Sequence, residues 1–345
     1  MAWSPTFECV LHPDGEREYR VGHHLVDEYL EFAAARTRPN TVRAYAHDLS
    51  VFFSVAKEPA EVTATDVLGF ITAQRRPQPG AEKVVRISDG GSGLSVATIK
   101  RRLAAVSSFY GYLVTRGDAG VSANPVPRGL PTRKRTRDGR GSPLVRGVRR
   151  LPRILDPEEI EALMGALRTE RDRAMVQAMV LGGLRRSEVL GLRLGDLRLG
   201  EWRVFIADGK GGHERLVPLS PTFFVTVARY LDTERPPPVS TEAVFVSLKG
   251  PRRGEPLSVA GLDEIVSAAR TRAGLTHGTC HELRHTCFTR LREAGIALEA
   301  IQAQAGHRSI SSTRVYLHLG ADWLADEYRR AAKAIEAQAL VGVAR

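Results

Sequence analysis

With 345 residues, 43% of them hydrophobic, the chain has material for two domains with full cores. Its 50 Lys and Arg outnumber 39 Asp and Glu, a formal net charge of +11, which favours a polyanion such as DNA and leaves acidic substrates or an anionic surface as alternatives. No apolar run nears the ~18 residues of a spanning helix, and Glu8, Asp14 and Glu16 stand where a signal peptide places its apolar core; Cys9, Cys280 and Cys287 are too few for a disulfide framework, so a cytoplasmic protein with no membrane segment is expected.

The N-terminal third reads as helical. Val42, Tyr45, Leu49, Phe52 and Phe53 recur at helix spacing, as do Ile99, Leu103, Val106, Tyr110 and Leu113, each set giving an apolar stripe for packing. Arg43, Lys100, Arg101 and Arg102 fall off these stripes, where they either meet phosphates or form ordinary solvated faces. A long loop is expected from Gly80 to Gly93. From Asn124-Pro125-Val126-Pro127 the composition changes: up to Arg153, ten Lys or Arg, among them Arg133, Lys134 and Arg135, stand against one acid, Asp138. Recurrent Gly and Pro make this an extended cationic linker, either a solvated tether or a charged strap along a DNA backbone.

The second domain opens with a helix start: Asp156 can cap, Pro157 suits the first helical position, and Glu159 sits three residues after the cap. Arg203–Ile206 and Arg215–Leu219 read as short strands around a turn containing Asp208-Gly209-Lys210-Gly211-Gly212, and Ala243–Val246 reads as a third strand. From about Pro256 the pattern is helical again. The expected fold class is therefore mainly α with a small antiparallel β-sheet, in two domains: residues 20–125, a basic linker over 126–150, and residues 151–338.

Several clusters carry chemistry. In Gly183-Leu184-Arg185-Arg186-Ser187-Glu188, the apolar neighbours Val180, Leu184, Leu190 and Leu192 should bury the segment and draw an arginine inward. Glu188, three residues after Arg185, is on the same face as its acceptor; a structural ion pair explains these residues taken alone. Lys210 stands out in a chain that uses seven lysines among 50 basic residues. A lysine with a lowered pKa can protonate a leaving oxygen and an arginine cannot, although a Lys between glycines also suits a solvated turn. His281 and Arg284 share a helix face and can reach one phosphate. His277, Cys280, His281, His285 and Cys287 have the chemistry of metal ligands, but they lack a paired CxxC and crowd onto too few turns, so no metal is expected. Tyr316, flanked by Val315 and Leu317, alone reads as core; what raises it is its company of Gly306-His307, the Ser- and Thr-rich stretch Ser309–Thr313, and Arg314.

A tyrosine among arginines and histidines suggests covalent chemistry on phosphate. Charge grows on the non-bridging oxygens of a phosphodiester during displacement and calls for fixed cations, which guanidinium forks supply. A phenol, with a pKa near ~10, forms an ester about as energetic as the bond it replaces, so rejoining needs no ATP.

The runs GLRRSEVLGL around Arg185, GKGGHERLVPL around Lys210, HELRHTCFTRL around His281 and Arg284, and AGHRSISSTRVYLH to Tyr316 stand in an order that closely resembles the tyrosine recombinase (phage integrase, Xer-like) family. The likeness spans about residues 151 to 335, and the helices containing Thr41-Val42-Arg43-Ala44-Tyr45 resemble the family's SAM-like core-binding domain. The resemblance implies that Tyr316 attacks the scissile phosphate, giving a 3′-phosphotyrosine and a free 5′ hydroxyl. It further implies Arg185 and Arg284 on the non-bridging oxygens, Lys210 as proton donor to the leaving oxygen, His281 assisting proton transfer, His307 hydrogen-bonded to the phosphate and Glu188 orienting the first arginine. Double-stranded DNA is the implied partner, gripped with help from Arg43, Lys100, Arg101, Arg102, Arg133, Lys134 and Arg135, with no cofactor, metal or ATP. Four protomers would join two sites, two active at a time, with Trp323–Ala339 as a helix that docks on a neighbour or covers its own core. Ala305 replaces a leucine the family often has before Gly-His, and the basic linker is longer than usual. The alternatives are a type IB topoisomerase, which reseals the same strand, and a non-catalytic DNA-binding protein. Target sequence, biological task and any helper protein carry no mark in these motifs.

Overall fold

A computed structural model describes residues 3–76, 93–129, 143–146, 153–207, 214–237 and 240–306. The chain divides into two compact units, residues 1–149 and 150–345, mainly helical with two small antiparallel sheets among the described residues. No helix among them is long and apolar enough to cross a membrane.

The first unit opens on a hairpin that the helical reading does not anticipate. Strand β1 (Glu8–Leu11) runs antiparallel to β2 (Arg17–Arg20), with Glu8 opposite Arg20 and Leu11 opposite Arg17. Every β1 residue is exposed and Tyr19 alone is buried in β2, so the alternation that marks a half-buried strand is absent from the sequence. Four helices follow: α1 (His24–Ala34), α2 (Pro39–Phe53), α3 (Ala64–Arg75) and α4 (Val96–Arg116). Ser95 caps α4 by accepting from the Thr98 amide at 3.1 Å, and Gly117, at φ 79°, ends it in the left-handed conformation that glycine adopts cheaply. Between them the expected stripe from Ile99 to Leu113 is buried, and Phe109 meets Phe53 edge-on at 5.7 Å while Phe52 meets Phe70 at 5.0 Å. Val126, Leu144 and Val145 from the basic segment pack on this core. Arg133, Lys134, Arg135 and all of the Gly80–Gly93 loop except Gly93 itself lie outside the described residues.

The off-stripe cations of the first unit divide. Arg43, Lys100 and Arg101 are exposed, but Arg101 donates to the fully buried carboxylate of Asp48 at 2.5 Å. Arg102 is largely buried, gives its Nη1 to Gln74 Oε1 at 2.7 Å, and brings Nε to 3.8 Å from Asp48 Oδ1. Where a phosphate contact or a solvated face is expected at Arg102, there is an internal ion cluster, because α2 places an acid opposite it.

In the second unit, α5 (Pro157–Gly165) starts with Asp156 and Glu159 in a reciprocal capping box. Helix α6 (Glu170–Val180) is buried on every side and packs against α8 (Pro221–Thr233) and α10 (Cys280–Glu293). The short helix α7 (Arg186–Leu190) precedes a three-stranded sheet, β3 (Leu197–Arg198), β4 (Arg203–Ile206) and β5 (Arg215–Pro218), in the order β3-β4-β5. Helices α9 (Val259–Arg272) and α11 (Leu298–Ala305) complete the described unit.

The third strand is a correction. It is Leu197–Arg198, paired with Arg203 and Val204, whereas Ala243–Val246 makes only single bridges, Arg193 with Ala243 and Val246 with Pro256. Val244, Phe245 and Val246 are all fully buried, so the run is a core-filling connector, and its apolar composition is met by packing on both faces with no strand ladder.

Replacing Asp48 with Ala should lower stability to urea by about 2 kcal/mol, since it removes the hydrogen-bond acceptor of Arg101 and the ion-pair partner of Arg102; stability unchanged from wild type would show that the cluster contributes nothing.

Candidate active site

The site grows out of the end of α6. Gly183, at φ 67°, takes a conformation that glycine tolerates, and a Cβ there would lie 2.4 Å from Phe288 Cζ. This close approach brings the Gly183 carbonyl to Nη1 of Arg284, which donates to it. Two residues on, Arg185 forms the N-cap of α7. Its amide donates to Glu188 Oε2 at 2.9 Å and its Nη1 to Glu188 Oε1 at 2.6 Å, so Glu188 serves as both helix cap and ion-pair partner.

Glu188 is shared further. Arg215, reaching in from β5, donates Nη1 to Oε1 at 3.1 Å and Nη2 to Oε2 at 2.9 Å, a bidentate fork. Nη1 of Arg284 stands 3.8 Å from Oε2. One carboxylate, with a side chain only 1% exposed, therefore faces three guanidinium groups. Burial opposes its ionisation, but the hydrogen bonds from Arg215 and the Arg185 amide, with both guanidinium charges, hold it below the usual carboxylate range.

Arg284 comes from α10, whose start is fixed by a capping box. The Glu282 carboxylate accepts from the Thr279 amide at 2.8 Å, and the Thr279 hydroxyl accepts from the Glu282 amide at 3.3 Å. Glu282 is thereby committed to the helix end, leaving Arg284, buried, to stack over Phe288 at 4.8 Å and donate Nη2 to the Ala305 carbonyl at 2.7 Å. Arg215 Nε donates to the adjacent Gln304 carbonyl at 3.0 Å, and Gln304 Nε2 to the Gly182 carbonyl at 3.1 Å. The orphan carbonyls at the end of α11 are thus satisfied by the arginines of the site.

Arg185, Arg284 and His281 line one open cleft of about 560 Å³ together with Arg186, Thr279 and Arg270. Arg186 pairs with Asp263 beside it. His281 and His285 meet edge-on, ring centroids 4.2 Å apart, and share a hydrogen bond between their Nε2 atoms at 2.8 Å. Burial and the Arg284 charge lower the His281 pKa, and burial with the charges of His281 and Arg284 pushes His285 down to about 4. Both rings are neutral at pH 7. Burial pushes the Cys280 and Cys287 thiols up to about 12, so neither is a nucleophile at neutral pH. Among the described residues no three His, Cys, Asp or Glu gather as metal ligands.

The structure brings Arg185, Glu188, His281 and Arg284 together around one cleft and carboxylate. Lys210, His307, Tyr316 and the Trp323–Ala339 segment lie outside the described residues. Arg215 is absent from the sequence reading of the site. A signal for it exists, since Arg215 and Val217 share the inward face of β5 while Leu216 and Pro218 are exposed.

The histidine pair makes a pH prediction. Its folded pKa values lie below the free imidazole value of about 6.5, so below that pH the unfolded chain binds more protons and stability falls as pH drops towards about 4. His285→Gln should flatten that fall in urea denaturation at pH 7, 6 and 5. A slope identical to wild type would contradict the assignment.

The Phage integrase family matches residues 153–322, and its N-terminal SAM-like domain matches residues 26–117. The chain is similar to Tyrosine recombinase XerC of Pelobacter propionicus, 34% identical over 303 residues that cover 85% of this chain and 89% of that protein. It is also similar to Tyrosine recombinase XerD of Listeria monocytogenes, 28% identical over 324 residues, covering 89% and 97%. Among solved structures, the Tn1549 transposon integrase in complex with transposon right end DNA shares the fold at a TM-score of 0.66 and 18% identity, over 89% of this chain and 98% of that one. The XerH site-specific recombinase bound to palindromic difH substrate does so at 0.62 and 21%, over 88% and 83%. With both family domains in order and a relative 34% identical along most of its length, this chain belongs to the phage integrase family of tyrosine recombinases, enzymes that break and rejoin DNA at specific sites.

Proposed function

We propose that this recombinase cuts double-stranded DNA one strand at a time through Tyr316, using the arginines around Glu188 to hold the scissile phosphate. The supporting observation is the shared carboxylate. Three guanidinium groups on one buried acid leave a local surplus of two positive charges beside the cleft, fixed before any substrate arrives. Arg185 spends one N–H on Glu188 and lines the cleft with the rest of its guanidinium. Arg284, oriented by two carbonyls and Phe288, lines it too. Such a pair meets the charge that grows on the non-bridging oxygens during in-line displacement.

The steps then balance. The Tyr316 phenol oxygen bonds to phosphorus and the bond from phosphorus to the 5′ oxygen breaks, leaving a 3′-phosphotyrosine. Neutral His281 assists removal of the phenolic proton, Lys210 gives a proton to the departing 5′ oxygen, and His307 hydrogen-bonds the phosphate. Attack by a 5′ hydroxyl of the partner DNA reverses the sequence and rejoins the strand, with no ATP or metal. Exposed Arg43, Lys100 and Arg101, with Arg133, Lys134 and Arg135 of the basic segment, contribute sequence-independent phosphate contacts; Arg102 serves the inside of its own unit. The working assembly is a homotetramer on two DNA sites, in the cytoplasm.

Incubation with DNA carrying the recombination site, followed by detergent denaturation, should yield a covalent protein-DNA adduct. Tyr316→Phe should reduce the adduct by more than about 10³-fold while gel-shift affinity is retained. An adduct formed by the variant at wild-type yield would move the nucleophile elsewhere.

A further inference from the structure

We infer that Arg215 is a positioning residue for the cleavage step, one that holds the phosphate-binding arginines and the end of α11 in a single register without touching the DNA. The inference rests on the proposed phosphotyrosine chemistry.

Arg185 engages both oxygens of Glu188, its amide on Oε2 and its Nη1 on Oε1, but both contacts come from the very residue that the acid orients. Arg215 adds a second hydrogen bond to each oxygen from a different element, so Glu188 is held independently of Arg185. The third edge of its fork, Nε, binds the Gln304 carbonyl, next to the Ala305 carbonyl held by Arg284. Its side chain is 11% exposed and is absent from the lining of the cleft, so its influence on a substrate passes through Glu188 and α11. A Cβ at Gly306 would stand 3.1 Å from Arg215 Nη1 and 3.2 Å from Cζ, so the guanidinium lies against the glycine that joins α11 to His307.

Arg215 follows Lys210 by five residues, Glu188 follows Arg185 by three, and Gly306 precedes His307. One guanidinium therefore ties together the strand after the lysine turn, the acid that aims the first arginine, and the helix end before the second histidine. A lysine keeps the charge but cannot reach two oxygens and a carbonyl in one planar fork.

The test is Arg215→Lys in single-turnover cleavage of two substrates, one with a normal scissile phosphodiester and one with a methylphosphonate, in which methyl replaces a charged non-bridging oxygen. Cleavage of the phosphodiester should slow roughly 10- to 100-fold, with DNA affinity within about twofold of wild type. On the methylphosphonate, where well-aimed cations have less charge to meet, the gap between variant and wild type should shrink to within about threefold. Equal slowing on both substrates would assign Arg215 to general fold maintenance, and no slowing would remove it from the reaction; either result overturns the inference. Should Arg215→Lys not fold, Arg215→Gln, which keeps a hydrogen-bond donor without the fork, should show the same substrate dependence, with uniform slowing again counting against it. If wild type forms no Tyr316 adduct, the proposed chemistry itself fails, an outcome distinct from a wild-type adduct that Arg215→Lys leaves unchanged.

Discussion

The catalytic unit is organised by the sharing of one buried carboxylate among arginines from three separate elements. Removing Glu188 from water costs several kcal/mol unless its charge is met in good geometry. α7 supplies Arg185 and an amide, β5 supplies Arg215, and α10 brings Arg284 to 3.8 Å. The acid neutralises one of three charges, and two of the arginines, Arg185 and Arg284, line the cleft. The cations are thus paired and fixed within the protein itself, and in the proposed reaction little reorganisation is needed when charge develops.

The same arrangement explains several residues that touch no substrate. Gly183 is required so that α6 can turn close against Phe288 and present its carbonyl to Arg284. Glu282, in the middle of the His-x-x-Arg unit, is the capping acid of α10, which keeps a negative charge from competing with Glu188. The N-terminal unit holds an instructive contrast. Asp48 is as deeply buried and also meets two arginines, yet burial outweighs Arg101 and Arg102 and its pKa is raised, whereas that of Glu188 is lowered. The difference is the bidentate fork of Arg215 and the cap amide; Asp48 Oδ1 has no hydrogen-bond partner.

Local relations were legible in the sequence and distant ones were not. The Asp156, Pro157 and Glu159 helix start, the stripe from Ile99 to Leu113 and the pairing of Arg185 with Glu188 all depend on residues within a turn or two, where spacing determines contact. Arg215 meets Glu188 across 27 positions, a contact that spacing does not encode, although its alternation with Val217 marks it as inward-facing. Arg102 was readable as a surface cation because its partners Asp48 and Gln74 lie in other helices. Ala243–Val246 has strand composition but fills the core with single bridges, and the β1–β2 hairpin carries no apolar alternation to reveal it.

Single-turnover cleavage by Glu188→Gln, which keeps the side-chain volume and removes the charge that the arginines share, isolates the role of the common carboxylate. Cleavage should slow at least about tenfold with DNA affinity retained, because the arginines lose their common anchor. Cleavage at the wild-type rate would contradict that role, showing that Arg185 and Arg284 hold their positions without the carboxylate.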